Sequence, residues 1–192
     1  MCINTIPAIF IDRDGTINID YGYVFEINHF TFIDGSIDAM RELMLMGFSL
    51  IMVTNQSGIA RGIFKITQLI VLTEWIKKVL SKHNVYLDGI YFCPHHPEAI
   101  IKQWKKLCSC RKPKPGMLLT AKKELHINMS ASYMVGDKIE DMQAAQAAGV
   151  WKKILVRSGK LYTHKNIQSA DFILDSLKDL PQYIKELAKK NR

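Results

Sequence analysis

Short apolar segments alternate with helical patterns from one end of the chain to the other, and nothing else in the 192 residues restricts the fold so tightly. Ile6 to Asp12 is isoleucine-rich and halted by Arg13-Asp14-Gly15, which predicts a short buried strand. Ser49 to Thr54, Gly89 to Cys93, Tyr133 to Gly136, Lys153 to Val156 and Phe172 to Leu174 read as strands on the same grounds. Between them, Asp38 to Met46 carries Met40, Leu43 and Met44 at helical spacing and runs into Gly47, a residue suited to a helix C-terminus. Thr67 to Lys82 sets Leu69, Leu72, Ile76, Val79 and Leu80 along one side. Glu140 to Ala148 is an alanine-rich helix stopped by Gly149, and Leu177 to Lys189 is expected to be the closing helix. Strands taking turns with helices predict a parallel sheet covered on both faces. No repeat, low-complexity stretch or linker divides the chain, so a single domain over 1–192 is expected.

Composition narrows the partners. With 48% hydrophobic and 23% charged residues the chain is not of the disordered class. No apolar run approaches the roughly 18 residues of a bilayer span. Met1 to Asp12 has neither a basic lead nor a small-residue cleavage site, so the expectation is a cytoplasmic protein with no membrane partner. The formal charge of +8 favours anionic partners: nucleic acid, lipid headgroups or small phosphorylated molecules. Part of it lies in Lys102, Lys105, Lys106, Arg111, Lys112 and Lys114, and part in Lys189, Lys190 and Arg192, which read as a solvated tail. A nucleic-acid module would leave several acidic motifs idle, and the aromatic-interleaved basic stripe is missing, so no nucleic-acid partner is expected.

Position then singles out chemistry. Asp12, Thr54, Cys93 and Asp137 each stand at or just past the C-terminal end of an expected strand, the edge where open α/β sheets bind ligands. In Asp12-Arg13-Asp14-Gly15-Thr16, two carboxylates two residues apart are aimed differently by the turn. One can attack phosphorus and hold a cation while the other reaches the leaving oxygen. An acidic surface turn is the plain reading of that stretch alone. A calcium loop would want its glycine sixth, and here glycine is fourth. Three further segments argue against a plain turn. Val53-Thr54-Asn55-Gln56-Ser57-Gly58 offers a hydroxyl, amides and backbone donors for phosphoryl oxygens. Cys110-Arg111-Lys112-Pro113-Lys114 supplies fixed positive charge, and Gly136-Asp137-Lys138-Ile139-Glu140-Asp141 brings more carboxylates.

These four segments, in this order, resemble the motifs of the haloacid-dehalogenase superfamily from Asp12 to Asp141. The resemblance implies a three-layer Rossmann-like α/β fold and a magnesium-dependent phosphomonoester hydrolase. Asp12 would be the nucleophile and Asp14 the acid and base, with Thr54 and Lys112 binding the phosphoryl group. Mg²⁺ would be held by the carboxylates of Asp12 and Asp137 and the main-chain carbonyl of Asp14, with Asp141 in support. The intervening segments are too short for a separate cap domain.

A second set of ligands lies apart. Cys93-Pro94-His95 and Cys108-Ser109-Cys110, twelve residues apart, make a closed set for a structural Zn²⁺ on a loop spanning 93–110. Alternation from Cys93 favours His95 over His96 as the nitrogen ligand. Such a clamp would hold Arg111 and Lys112 over the site. Cys2 reads as an idle thiol, and His29, His83, His126 and His164 as surface or packing residues. The longer segments Asp12 to Asn18, Tyr21 to Val24, Val53 to Gly62, Tyr91 to Pro97, Cys110 to Met117 and Met134 to Lys138 resemble the zinc-loop sugar-bisphosphate phosphatases within the superfamily. That resemblance implies a small-molecule sugar bisphosphate contacted by Asp20, Tyr21, Gly22, Tyr23, Asn55, Gln56, Ser57, Arg111 and Lys138. The related histidinol-phosphate phosphatases are the runner-up, and their loop is typically shorter between the two ligand pairs. A monomer is expected.

Overall fold

The computed structural model describes residues 5–159 and 168–190. Cys2, His164 and Arg192 lie outside them. Six strands form one sheet: β1 (Ala8–Ile11), β2 (Ser49–Asn55), β3 (Gly89–Cys93), β4 (Tyr133–Gly136), β5 (Lys152–Val156) and β6 (Phe172–Leu174). Their order is β3-β2-β1-β4-β5-β6, and every neighbouring pair is parallel. In register, Ile9 faces Leu50 on one side and Tyr133 on the other. Beyond β1 the chain moves outward to β2 and β3, then crosses back to β4. The sheet order therefore reverses between β1 and β4, where the strand ends open a crevice.

Alternation along the strands builds two cores. Ile9, Ile11, Leu50, Met52, Val135 and Ile154 face one way, against α1 (Ser36–Leu45), α2 (Ile66–Lys82) and α5 (Leu180–Lys190). Ala8, Phe10, Ile51, Val53, Met134 and Leu155 face the other, against α3 (Gly116–Leu125) and α4 (Ile139–Ala148). Helices thus cover both faces of the sheet, giving a three-layer arrangement. Phe10 has no exposed surface, so Phe10→Ala is worth about 3–5 kcal/mol of stability.

Most element limits match the sequence pattern within two residues. Among the described residues one α-helix was not expected: α3, which begins at Gly116 straight after Pro113 and Pro115 and buries Met117, Leu118 and Ala121. The closing helix also starts later than its pattern. Leu177–Asp179 forms a 3₁₀ turn, in which Ser176 N–H donates to Asp179 Oδ2 at 3.0 Å, before α5 begins. Every strand among the described residues belongs to this one sheet, and no described helix is long and apolar enough to cross a membrane.

Candidate active site

The C-terminal ends of β1, β2 and β4 converge on an open cleft of about 420 Å³. Asp12, Asp14, Asp20, Gly22, Tyr23, Thr54, Asn55, Gln56, Ser57, Arg111, Lys112, Lys138, Glu140 and Asp141 line it. Residues expected from five separate segments thus share one cavity. Tyr21, by contrast, is 63% exposed and does not form part of its wall.

Asp12 follows β1 directly, its N–H held by Val135 O at 2.9 Å. Lys112 Nζ donates to Asp12 Oδ1 and Val53 O, both at 2.8 Å, and lies 2.5 Å from Asp141 Oδ1. Burial alone would lower the lysine, but the carboxylates of Asp12 and Asp141 outweigh it and hold Lys112 above its ordinary pKa. The ammonium is therefore a fixed positive charge at neutral pH. The main chain of Lys112 is fixed as well: its N–H donates to Asn55 Oδ1 at 3.1 Å, and Asn55 Nδ2 donates to its carbonyl at 3.0 Å. Asn55 thus spends its amide on the loop.

The carboxylates of Asp12, Asp137 and Asp141 are all buried, with one oxygen of each within 4.8 Å of the others. Asp141 enters this group beside Asp12 and Asp137, while the Asp14 carboxylate does not. Asp141 also caps α4, accepting from Lys138 N–H at 3.1 Å. Burial pushes Asp141 up to about 7; Lys112 opposes the shift, and the crowding of Asp12 and Asp137 adds to it. An all-oxygen, three-carboxylate cluster fits a hard divalent cation, whose charge would offset that crowding. Lys138 Nζ stands 3.2 Å from Asp137 Oδ1 and 3.6 Å from Asp20 Oδ2. Burial would lower Lys138, yet Asp12, Asp137, Asp141 and Asp20 together raise it.

Backbone packs tightly around these acids. Gly15 has φ +85°, and a Cβ there would lie 2.6 Å from Asp137 Oδ2. The turn after β5 closes over the same point: Ser158 Oγ donates to Gly15 O at 2.9 Å, and a Cβ on Gly159 would overlap Asp137. Ser158 and Gly159 were not singled out by the sequence pattern, although their place past the end of β5 is the same signal that singled out Asp137.

Asp14 faces the opposite wall. Its Oδ1 accepts from Arg13 Nη2 at 2.7 Å, Arg13 Nε at 3.1 Å and Asn18 Nδ2 at 3.1 Å. Its Oδ2 accepts from Arg13 Nη2 at 2.8 Å and Gln56 Nε2 at 3.0 Å. Gln56 also donates to Thr54 Oγ1 at 2.8 Å, so this buried amide ties the acid to the hydroxyl. Sequence reasoning passed over Arg13 and Asn18, because nothing in the pattern marks an arginine as fully buried.

Cys93, His95, Cys108 and Cys110 meet at the end of β3. The three sulfurs are 3.1–3.5 Å apart, and His95 Nδ1 lies 3.3 Å from Cys110 Sγ and 3.7 Å from Cys93 Sγ. Sulfurs of a tetrahedral zinc site are about 3.7 Å apart, given Zn–S bonds of about 2.3 Å, so the set fits that ion with small adjustment. Burial, then Lys106, lower His95, which keeps the ring neutral, as a ligand must be. Burial raises Cys93, so metal coordination is what would favour its thiolate. His96 is turned elsewhere, 3.1 Å from Arg61. The loop docks on the turn after β2 through Ile100 N–H and Ile101 N–H to Ala60 O, and leads to Arg111, whose guanidinium reaches His95 O at 3.5 Å.

A model described as HAD-hyrolase-like matches residues 109–180. The chain is 60% identical over 185 residues to the D-glycero-beta-D-manno-heptose-1,7-bisphosphate 7-phosphatase of Escherichia coli K12, covering 96% of this chain and 97% of that one. The chain belongs to that phosphatase family. The Haemophilus influenzae member is 57% identical over 182 residues, covering 95% of this chain and 98% of its own. A crystal structure of D,D-heptose 1.7-bisphosphate phosphatase from B. bronchiseptica, complexed with magnesium and phosphate, superposes with a TM-score of 0.82 at 27% identity. The match covers 94% of this chain and 99% of that one. Membership makes the chain a phosphomonoester hydrolase of the haloacid-dehalogenase type.

Proposed function

We propose that this chain hydrolyses the C7 phosphate of D-glycero-β-D-manno-heptose 1,7-bisphosphate through an aspartyl-phosphate on Asp12, leaving heptose 1-phosphate. The product would feed ADP-heptose and lipopolysaccharide core synthesis, in the cytoplasm. The observation that carries the chemistry is the buried Asp12 carboxylate against Lys112, at the switch point of the sheet, with Asp14 across the cleft.

Asp12 attacks phosphorus, the bond from phosphorus to the C7 oxygen breaks, and Asp14 gives that oxygen a proton. Asp14 then takes a proton from water, which attacks the phosphoryl group and frees Asp12 and inorganic phosphate. Thr54 and Lys112 bind the phosphoryl oxygens and offset their growing charge. Asp12, Asp137 and the Asp14 carbonyl, with Asp141 close by, would hold Mg²⁺, which supplies a further positive charge to those oxygens. Cys93, His95, Cys108 and Cys110 would hold a structural Zn²⁺ that stiffens the loop bearing Arg111 and Lys112. Asp20, Gly22, Tyr23, Asn55, Gln56, Ser57 and Lys138 line the cleft and would contact the sugar, and Arg111 would receive the second phosphate; Tyr21 lies outside the cleft wall. The histidinol-phosphate alternative finds no support among the relatives.

Phosphate release with magnesium, measured over both heptose bisphosphate anomers, histidinol phosphate and other sugar phosphates, tests the proposal. The β bisphosphate should give the highest kcat/KM, and a higher value for histidinol phosphate would overturn it.

A further inference from the structure

Arg13 is a fully buried arginine placed between the nucleophile and the acid–base residue of the site. A guanidinium is costly to bury unless it is paired, and an aliphatic side chain would fill the same space without that cost. Its pairing is specific. Nε and Nη2 form a fork on the Asp14 carboxylate, and Nη2 also donates to Val24 O at 2.6 Å. Val24 ends the Asp20–Val24 segment, in which Gly22 N–H donates to Asp20 Oδ1 at 2.8 Å and Tyr23 adopts φ +50°. Asp20, Gly22 and Tyr23 of that segment line the cleft. Arg13 therefore joins the Asp14 carboxylate to the backbone of the loop that borders the cleft. Asp14 retains 16% side-chain exposure and lines the cleft itself, so the fork holds it from behind and leaves an edge open.

We propose that Arg13 is a positioning residue: its planar fork sets the plane of the Asp14 carboxylate and references it to the Asp20–Val24 loop. A planar two-nitrogen donor fixes orientation as well as distance, which a lysine ammonium cannot do. Asp14 is then aimed at the oxygen leaving from C7 whenever the loop is seated. The inference rests on the reading of Asp14 as the acid–base group.

The test separates leaving groups. An alkyl oxygen such as that on C7 needs a proton as its bond to phosphorus breaks, whereas p-nitrophenolate leaves without one. Single-turnover cleavage is measured by rapid quench on the magnesium-loaded full chain, for heptose 1,7-bisphosphate and p-nitrophenyl phosphate, with Asp14→Asn as reference. Arg13→Lys should slow cleavage at C7 by about a hundredfold and cleavage of the aryl phosphate by less than about threefold, with KM little changed. Equal losses on both substrates would overturn the inference and leave Arg13 a structural residue. If Asp14→Asn itself slowed both substrates equally, the reading of Asp14 as the acid would fail first. If Arg13→Lys does not fold, ¹⁵N spectra of the wild-type chain decide. A slowly exchanging arginine Nε–H signal that moves in Asp14→Asn supports the fork, and no such signal contradicts it.

Discussion

Lys112 Nζ lies 2.8 Å from Asp12 Oδ1 although 100 residues of chain separate them. The pair joins the end of the central strand to the far end of the cysteine loop, so the loop and Asp12 are set by one contact. Lys112 Nζ also meets Asp141 and Val53 O, which fixes its place at the floor of the cleft.

Lys112→Ala should lower kcat by at least about a hundredfold on any phosphate monoester, since the lost charge serves a transition state common to all. It should also destabilise the metal-free protein by about 3 kcal/mol, because two buried carboxylates lose their partner. Urea unfolding in EDTA checks the second figure. Unchanged stability would mean that Asp12 and Asp141 find another cation.

Arg111→Ala should behave differently. Arg111 lines the cleft, and among the described residues its guanidinium makes one long contact, to His95 O, so its fork is available to a second phosphate. KM for the bisphosphate should rise far more than KM for a small monophosphate. Equal losses on both substrates would place Arg111 in the chemistry or the loop.

Asp12→Asn should abolish turnover with circular dichroism unchanged, because an amide is a poor nucleophile and a neutral ligand. Asp14→Asn should be severely impaired, as both half-reactions need its proton. Turnover of Asp12→Asn within about tenfold of wild type would end the aspartyl-phosphate mechanism.

EDTA should stop activity quickly and magnesium restore it, while one zinc per chain survives dialysis. Cys108→Ser should lower the melting temperature and blunt kcat through the loop. Protein prepared without chelators and free of zinc would exclude the thiolate–imidazole site.

Gly15→Ala should cost about 1–3 kcal/mol, since φ +85° is unfavourable for alanine and its Cβ would press on Asp137 Oδ2. Magnesium affinity should fall with it, measured by titrating activity. An undiminished affinity would show that Asp137 has room to adjust.

Periodicity made the strands legible because a fully buried parallel strand leaves a short continuous apolar run, as Ile9 to Ile11 does. It did not reveal α3, whose Gly116 start lies against Ser109 O after two prolines and whose buried face is only one or two turns long. Sheet order is likewise beyond periodicity, which says nothing about which strand neighbours which. At the site, residue type and place at a strand end were enough to bring Asp12, Thr54 and Asp137 into view, Asp14 followed from its spacing to Asp12, and Lys112 from the charge of its loop and the family resemblance. Side-chain direction was not readable. Asn55 and Gln56 both line the cleft, but that their amides would also bond Lys112 and Asp14 could not be read from the pattern. Arg13 was invisible for a related reason: its burial depends on Asp14 and Val24 O meeting it in space.

The central claim is tested most directly by ³¹P NMR of heptose 1,7-bisphosphate during turnover with magnesium. The account predicts that the C7 phosphomonoester signal disappears, the C1 signal persists and inorganic phosphate grows in step, with no change in the Asp12→Asn variant. Loss of the C1 signal first, or equal decay of both signals, would contradict it.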